Sequence, residues 1–127
     1  MTKSYSRDVN ILIKILKNQS KIVETINYFG CNQSNLDKNI MAFDLCAFYM
    51  AQIGEIAKLL TDSTKKSLKS FDARKLQVFR NIIDHAYDKV DKELLKAYIF
   101  RMISPQVTME IKRRVQYCMQ HKNRDKK

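Results

Sequence analysis

Glycine and proline are nearly missing from this chain, which carries two glycines and one proline in 127 residues. β-Rich folds turn on such residues at short intervals, so their scarcity argues against one. Tryptophan is absent. The three cysteines, Cys31, Cys46 and Cys118, are scattered, odd in number and lack C-x-x-C spacing. That pattern sets aside a zinc site or a disulfide framework, and neither metal nor cofactor is expected. No apolar run reads as reaching membrane-spanning length, and Met1 to Arg7 does not lead into a secretory apolar region. The expectation is a cytoplasmic protein with no membrane partner. Acidic residues are also in deficit, 13 against 24 lysines and arginines, leaving a formal charge of +11. A field of that sign gathers and steers polyanions.

What is present reads as helix. The apolar fraction is 45%, enough for a core without staples at this length. The expected fold class is all-α: an up-and-down bundle of about five helices. The expected domain is 1–120, followed by a basic, disordered tail over 121–127.

A first helix is expected from about Arg7 to Phe29, capped by Ser4 or Ser6. Its apolar face comprises Val9, Leu12, Ile13, Leu16, Ile22, Val23, Ile26 and Phe29, widened by Ile11 and Ile15, with Gly30 as the stop. Ser34, with Asp37 three residues on, reads as the cap of a second helix running to about Leu60. That helix is apolar almost all round, which predicts heavy burial. Asp44 and Glu55 interrupt it on one face, and Gly54 leaves room for close helix contact. Thr61 to Ser70 reads as a polar loop. Asp72 is the expected cap of a third helix, Asp91 of a fourth reaching about Arg101. Ser104-Pro105 starts a fifth, which ends near Gln120.

Chemistry concentrates in Phe79 to Tyr87, where Arg80, Asn81, Asp84, His85 and Tyr87 break an otherwise apolar segment. An arginine holds a phosphate through its fork of donors. A neutral histidine moves protons near pH 7. Helical spacing sets Asn81 beside His85 and Arg80 beside Asp84. Arg80 and His85 are about 140° apart around the axis, so one straight helix does not aim both at one atom. Either the helix distorts, or a second protomer completes the site across a two-fold axis. The plainer reading makes His85 a packing residue and Arg80–Asp84 an ordinary ion pair. Lys65, Lys66, Lys69, Lys112, Arg113, Arg114 and the basic tail are candidates for tracking the phosphates of a polyanion.

The spelling Arg80-Asn81-x-x-x-His85-x-Tyr87 fits the R-x-x-x-x-H-x-Y signature of the HEPN superfamily, in its HepT-like branch. Gln52-Ile53-Gly54-Glu55 resembles the Ile-Gly-Glu step of that family's second helix. Tyr87-Asp88-Lys89-Val90-Asp91 resembles its Tyr-x-x-Val-Asp continuation. The resemblance covers roughly Asp8 to Val115. Where the family often has Ile-Pro-Trp before the motif helix, this chain has Ser70-Phe71-Asp72.

The resemblance implies a homodimer with the motif helices at its axis, acting as a metal-independent ribonuclease. It would be the toxin of a toxin–antitoxin pair, with a minimal nucleotidyltransferase as antitoxin and Tyr87 as the AMP acceptor. Arg80 and His85 would be catalytic, with Asn81, Tyr87 and Glu55 in support. The other reading kept open is a catalytically inactive helical module that binds nucleotide or RNA and serves as substrate of the nucleotidyltransferase.

Overall fold

The computed structural model describes residues 2–71, 75–77, 80–81, 83, 88 and 91–125, without the side chains of 2–3 and 122–125. Among the described residues the chain is all-helical, with no strand. The helices are α1 (Thr2–Phe29), α2 (Ile40–Ala57), a short α3 (Asp62–Ser67), α4 (Lys92–Met102) and α5 (Pro105–Asp125). A single 3-10 turn, Leu36–Lys38, precedes α2. Residues 75–77, 80–81 and 83 are also helical and form the motif segment. The expected cap Asp72 lies outside the described residues.

α1 is the spine, packed against α5 and α2. It runs antiparallel to α5. Tyr5 meets Tyr117 and His121 edge-on or tilted, while Gln19 Nε2 donates to the Met102 carbonyl just before α5 begins. That aromatic contact falls within the first turns of α1, and Ser4 and Ser6 lie inside the helix instead of capping it. The buried face also differs in phase from the apolar pattern. Asp8, Ile11, Leu12, Ile15, Gln19, Ile22 and Ile26 are buried, whereas Ile13 and Val23 are exposed. Ile11 and Ile15, expected at the margin, are central. Three polar residues, Asp8, Gln19 and Thr25, are buried on this helix, and a pattern of apolar residues alone points to one side of the seam.

Gly30 ends α1 at φ +64°, in the left-handed region that glycine enters without strain. The cap of α2 is Asn39, whose Oδ1 accepts from Ala42 N at 3.0 Å. The expected cap at Ser34 is therefore corrected. Asp37 serves elsewhere: it pairs with Lys96 Nζ of α4 at 2.7 Å, and Glu93 joins at 2.9 Å. Lys96 is 2% exposed, so its charge is enclosed and compensated. The hydrogen bond from Lys96 holds Asp37 below the usual carboxylate range. Asp37 first, then Glu93, holds Lys96 above the usual lysine range.

The stretch after α2 is not a loop throughout. Thr61 caps α3, its Oγ1 accepting from Thr64 N at 3.3 Å. The cap is fixed by Asp8 of α1, which is wholly buried. Asp8 accepts from Thr61 N at 3.1 Å, Thr61 Oγ1 at 2.7 Å and Thr64 Oγ1 at 2.6 Å. Arg114 of α5 closes the network, donating to Thr64 Oγ1 and Ser63 Oγ at 2.9 Å each. A buried carboxylate needs partners of this kind. Here they lie more than fifty residues away in sequence, out of reach of any local reading.

Later boundaries follow local chemistry. Asp91 Oδ1 accepts from Leu94 N at 3.1 Å to start α4. Ser104 Oγ accepts from Val107 N, and Pro105 opens α5. α5 continues to Asp125, beyond the expected end near Gln120 and into the stretch expected to be disordered. The three cysteines are free, and burial pushes the Cys46 thiol up to about 12, so it packs as an inert apolar group.

α2 is less enclosed than its composition predicts. Phe43, Cys46, Ala47, Met50, Ile53 and Ala57 face the core. On the other side Ile40, Met41, Leu45 and Phe48 are exposed. By length and composition α2, with mean hydropathy 1.3 over 18 residues, is a helix that could cross a membrane. This corrects the reading that no such run exists. Within the fold 44% of that window is buried.

Candidate functional site

The site begins with Gly54. A Cβ there would stand 2.9 Å from the Leu76 carbonyl oxygen and 3.4 Å from Arg80 Cβ. Glycine lets the motif segment lie directly on α2, as the sequence suggested. This close approach presents the neighbouring Glu55 to Arg80, and Arg80 Nε is 2.8 Å from Glu55 Oε2. Lys58, one helical turn on, holds the other carboxylate oxygen at 2.8 Å. Arg80 Nη1 also donates to Asn81 Oδ1 at 3.3 Å. Gln77 Nε2 reaches the same oxygen at 3.4 Å.

The guanidinium is thus anchored from two sides while its side chain remains 30% exposed. A tethered arginine that is still partly exposed can meet a phosphate with little reorganisation. Asn81, expected beside His85 in a supporting role, meets Arg80 and Gln77 in the structure. Lys58 and Gln77 were overlooked in the sequence. Both had a signal: Lys58 is three residues from Glu55, and Gln77 is four from Asn81. Asp84, His85 and Tyr87 lie outside the described residues.

Glu55 is held below the usual glutamate range, first by the Lys58 hydrogen bond and also by the Arg80 charge, against an opposing effect of desolvation. A depressed carboxylate stabilises the fold above its unfolded pKa, about 4.3. That contribution is lost as pH falls through the lower folded value. Replacing Glu55 with Gln is therefore expected to make the acid limb of stability shallower below about pH 5, read as urea midpoints against pH. Superimposable wild-type and variant profiles would show that the pair contributes nothing.

The expected basic surface divides. Lys112 and Arg113 are exposed. Arg114 is 8% exposed, bound to Thr64 and Ser63, with its guanidinium 4.3 Å from the Tyr117 ring centre. It belongs to the Asp8 network and not to an open phosphate-tracking face. Of the earlier lysines, Lys66 and Lys69 are exposed, and Lys65 Nζ donates to the Lys58 carbonyl at 3.0 Å.

No protein-family model, no curated protein and no solved structure matches the chain.

Proposed function

We propose that this protein is a HEPN-like, metal-independent RNA endonuclease that works as a homodimer. The observation that carries this reading is the arginine at the head of the R-x-x-x-x-H-x-Y spelling. It is tethered by Glu55 and Asn81 with its side chain 30% exposed, in a chain of charge +11.

In the proposed reaction His85 takes the proton from an RNA 2′-hydroxyl. The 2′-oxygen attacks the adjacent phosphorus, and the P–O5′ bond breaks. The leaving 5′-oxygen takes up a proton, supplied by His85 or its counterpart. Products are a 2′,3′-cyclic phosphate and a 5′-hydroxyl. Arg80 meets the charge that grows on the non-bridging oxygens. Tyr87 positions the RNA backbone. An AMP group placed on Tyr87 by a cognate nucleotidyltransferase would bring a bulky anion where phosphate must sit.

Two features favour a second copy completing the site. Met41, Leu45 and Phe48 are exposed at 66%, 38% and 53%. Their spacing continues through the polar Gln52 to Glu55, so the apolar row shares a face of α2 with the arginine's carboxylate partner. Beside it the buried Gln77 Oε1 has no hydrogen-bond partner among the described residues, as for a polar site left unfinished in one protomer.

The test is incubation of purified protein with RNA in EDTA. Cleavage leaving cyclic phosphate ends is expected, absent in His85→Ala. Phe48→Glu is expected to yield a monomer by light scattering and to lose cleavage with it. A requirement for divalent metal, or cleavage surviving His85→Ala, would defeat the mechanism.

A further inference from the structure

α5 carries a surface separate from Arg80 and from the apolar row of α2. Two clefts lie on it side by side and share Ile103, Thr108 and Lys112. One runs along α5 itself, past Pro105, Met109, Arg113 and Gln116. The other opens between α5 and α1, over Leu16, Ser20, Val23 and Glu24. Joined, they make an open groove whose apolar groups are left in water. Met109 is 48% exposed and Val23 38%; Pro105 is exposed too, and Leu16 and Ile103 are half-buried.

Spacing along α5 gives the groove its shape. Pro105, Met109, Lys112 and Gln116 recur at intervals of four, three and four residues, so they line one side of the helix. From Pro105 to Gln116 that side is about 17 Å long, three turns at a rise of about 1.5 Å per residue. An element of the same pitch fits it best: a second helix whose own apolar residues fall at i, i+3, i+4 and i+7.

Charge selects the partner. Lys112 and Arg113 are exposed on the rim, and neither pairs with a carboxylate among the described residues. Glu24, at the α1 edge, is the one acid among the described lining residues. An incoming carboxylate meets two open cations, whereas a second copy of a chain of charge +11 meets repulsion. RNA would satisfy the cations but lay sugar and phosphate over Met109 and Val23, gaining little from the apolar floor.

We propose that this groove docks an acidic amphipathic helix of another protein. Its apolar side rests on Val23, Ile103 and Met109, and its carboxylates meet Lys112 and Arg113. Docking there requires no ribonuclease activity, and none of the described lining residues belongs to the motif segment or to α2.

The probe is a phage-displayed library of helical peptides with leucine at i, i+3, i+4 and i+7 and randomised flanking positions, panned against the full chain. Enriched peptides are expected to carry aspartate or glutamate at the flanks. One is then synthesised with a fluorophore, and its affinity is read by anisotropy. Val23→Ser/Met109→Ser and Lys112→Gln/Arg113→Gln are each expected to weaken it at least about tenfold. Lys14→Gln/Lys38→Gln removes the same charge from exposed positions outside the groove and is expected to stay within about twofold. Circular dichroism checks that all three variants fold. No enrichment, enrichment of neutral or basic flanks, or binding indifferent to the first two variants overturns the proposal. A wild-type assembly whose mass by light scattering falls in Val23→Ser/Met109→Ser gives the groove to a second copy instead. A 2′-O-methyl oligoribonucleotide that binds more tightly than any enriched peptide, and loses affinity only in Lys112→Gln/Arg113→Gln, gives it to nucleic acid.

Discussion

Arg80→Ala is expected to reduce RNA cleavage by about 10²- to 10³-fold, the usual loss when a preorganised charge stabiliser is removed from a transition state. The loss should fall mainly on kcat, because the guanidinium is needed most when charge builds on the phosphate. Stability should change little: the Glu55–Arg80 pair is partly exposed, and Glu55 keeps Lys58 at 2.8 Å. Arg80→Lys should recover only part of the rate, since an ammonium cannot bridge Glu55, Asn81 and a phosphate at once. Glu55→Gln should lose less than Arg80→Ala, because Asn81 still receives the guanidinium. Steady-state kinetics on a defined oligonucleotide, with circular dichroism as a check on folding, reads all three. An Arg80→Ala protein with wild-type kcat would remove the arginine from the chemistry.

Asp8→Ala is expected to cost about 3 kcal/mol of stability, within the range for stranding buried donors and breaking a buried charge network. For a chain of this size that is a fall in Tm of roughly 10 °C. The physical reason is the number of groups that one carboxylate serves. Its removal leaves Thr61 N, Thr61 Oγ1 and Thr64 Oγ1 without their acceptor. It also leaves the Arg114 guanidinium, held through the same Thr64 hydroxyl, without the opposite charge. Asp8→Asn, close in shape, should cost about half as much because one acceptor survives. Urea unfolding of both variants, and of Arg114→Met alone and in combination with Asp8→Ala, measures the coupling. A sum of independent effects, or a loss below about 0.5 kcal/mol for Asp8→Ala, would show that the network is not a unit.

These two residues differ in how visible they are before folding. The Glu55–Arg80 encounter is legible only in part: its components carry local marks, but helical spacing pairs Arg80 with Asp84, and it took the packing of the motif segment on α2 to bring in Glu55. A glycine beside a glutamate in an apolar helix signals close approach, and an arginine in a second apolar segment supplies the counter-charge. The chemical meaning of that segment came from its spelling and its resemblance to a family, not from spacing. Asp8 carries no mark. It falls in the first expected turn of α1, outside the apolar pattern, and only the arrival of α3 and α5 makes it a buried acceptor. Arg114 misleads for the same reason. Within Lys112-Arg113-Arg114 nothing local separates the third cation from the first two, yet α5 turns it inward to Thr64 and Tyr117.

The amino-acid sequence alone determined the all-helical class, the stop at Gly30 and the starts at Asp91 and Ser104-Pro105. These depend on interactions within about one helical turn or on strong single-residue preferences. Tertiary structure decided the rotation of α1, the helical fold of Asp62–Ser67, the cap at Asn39 and the exposed apolar row on α2. Each of these depends on which distant element arrives to accept a proton, fill a groove or leave a face bare, and periodicity along one segment carries no record of that.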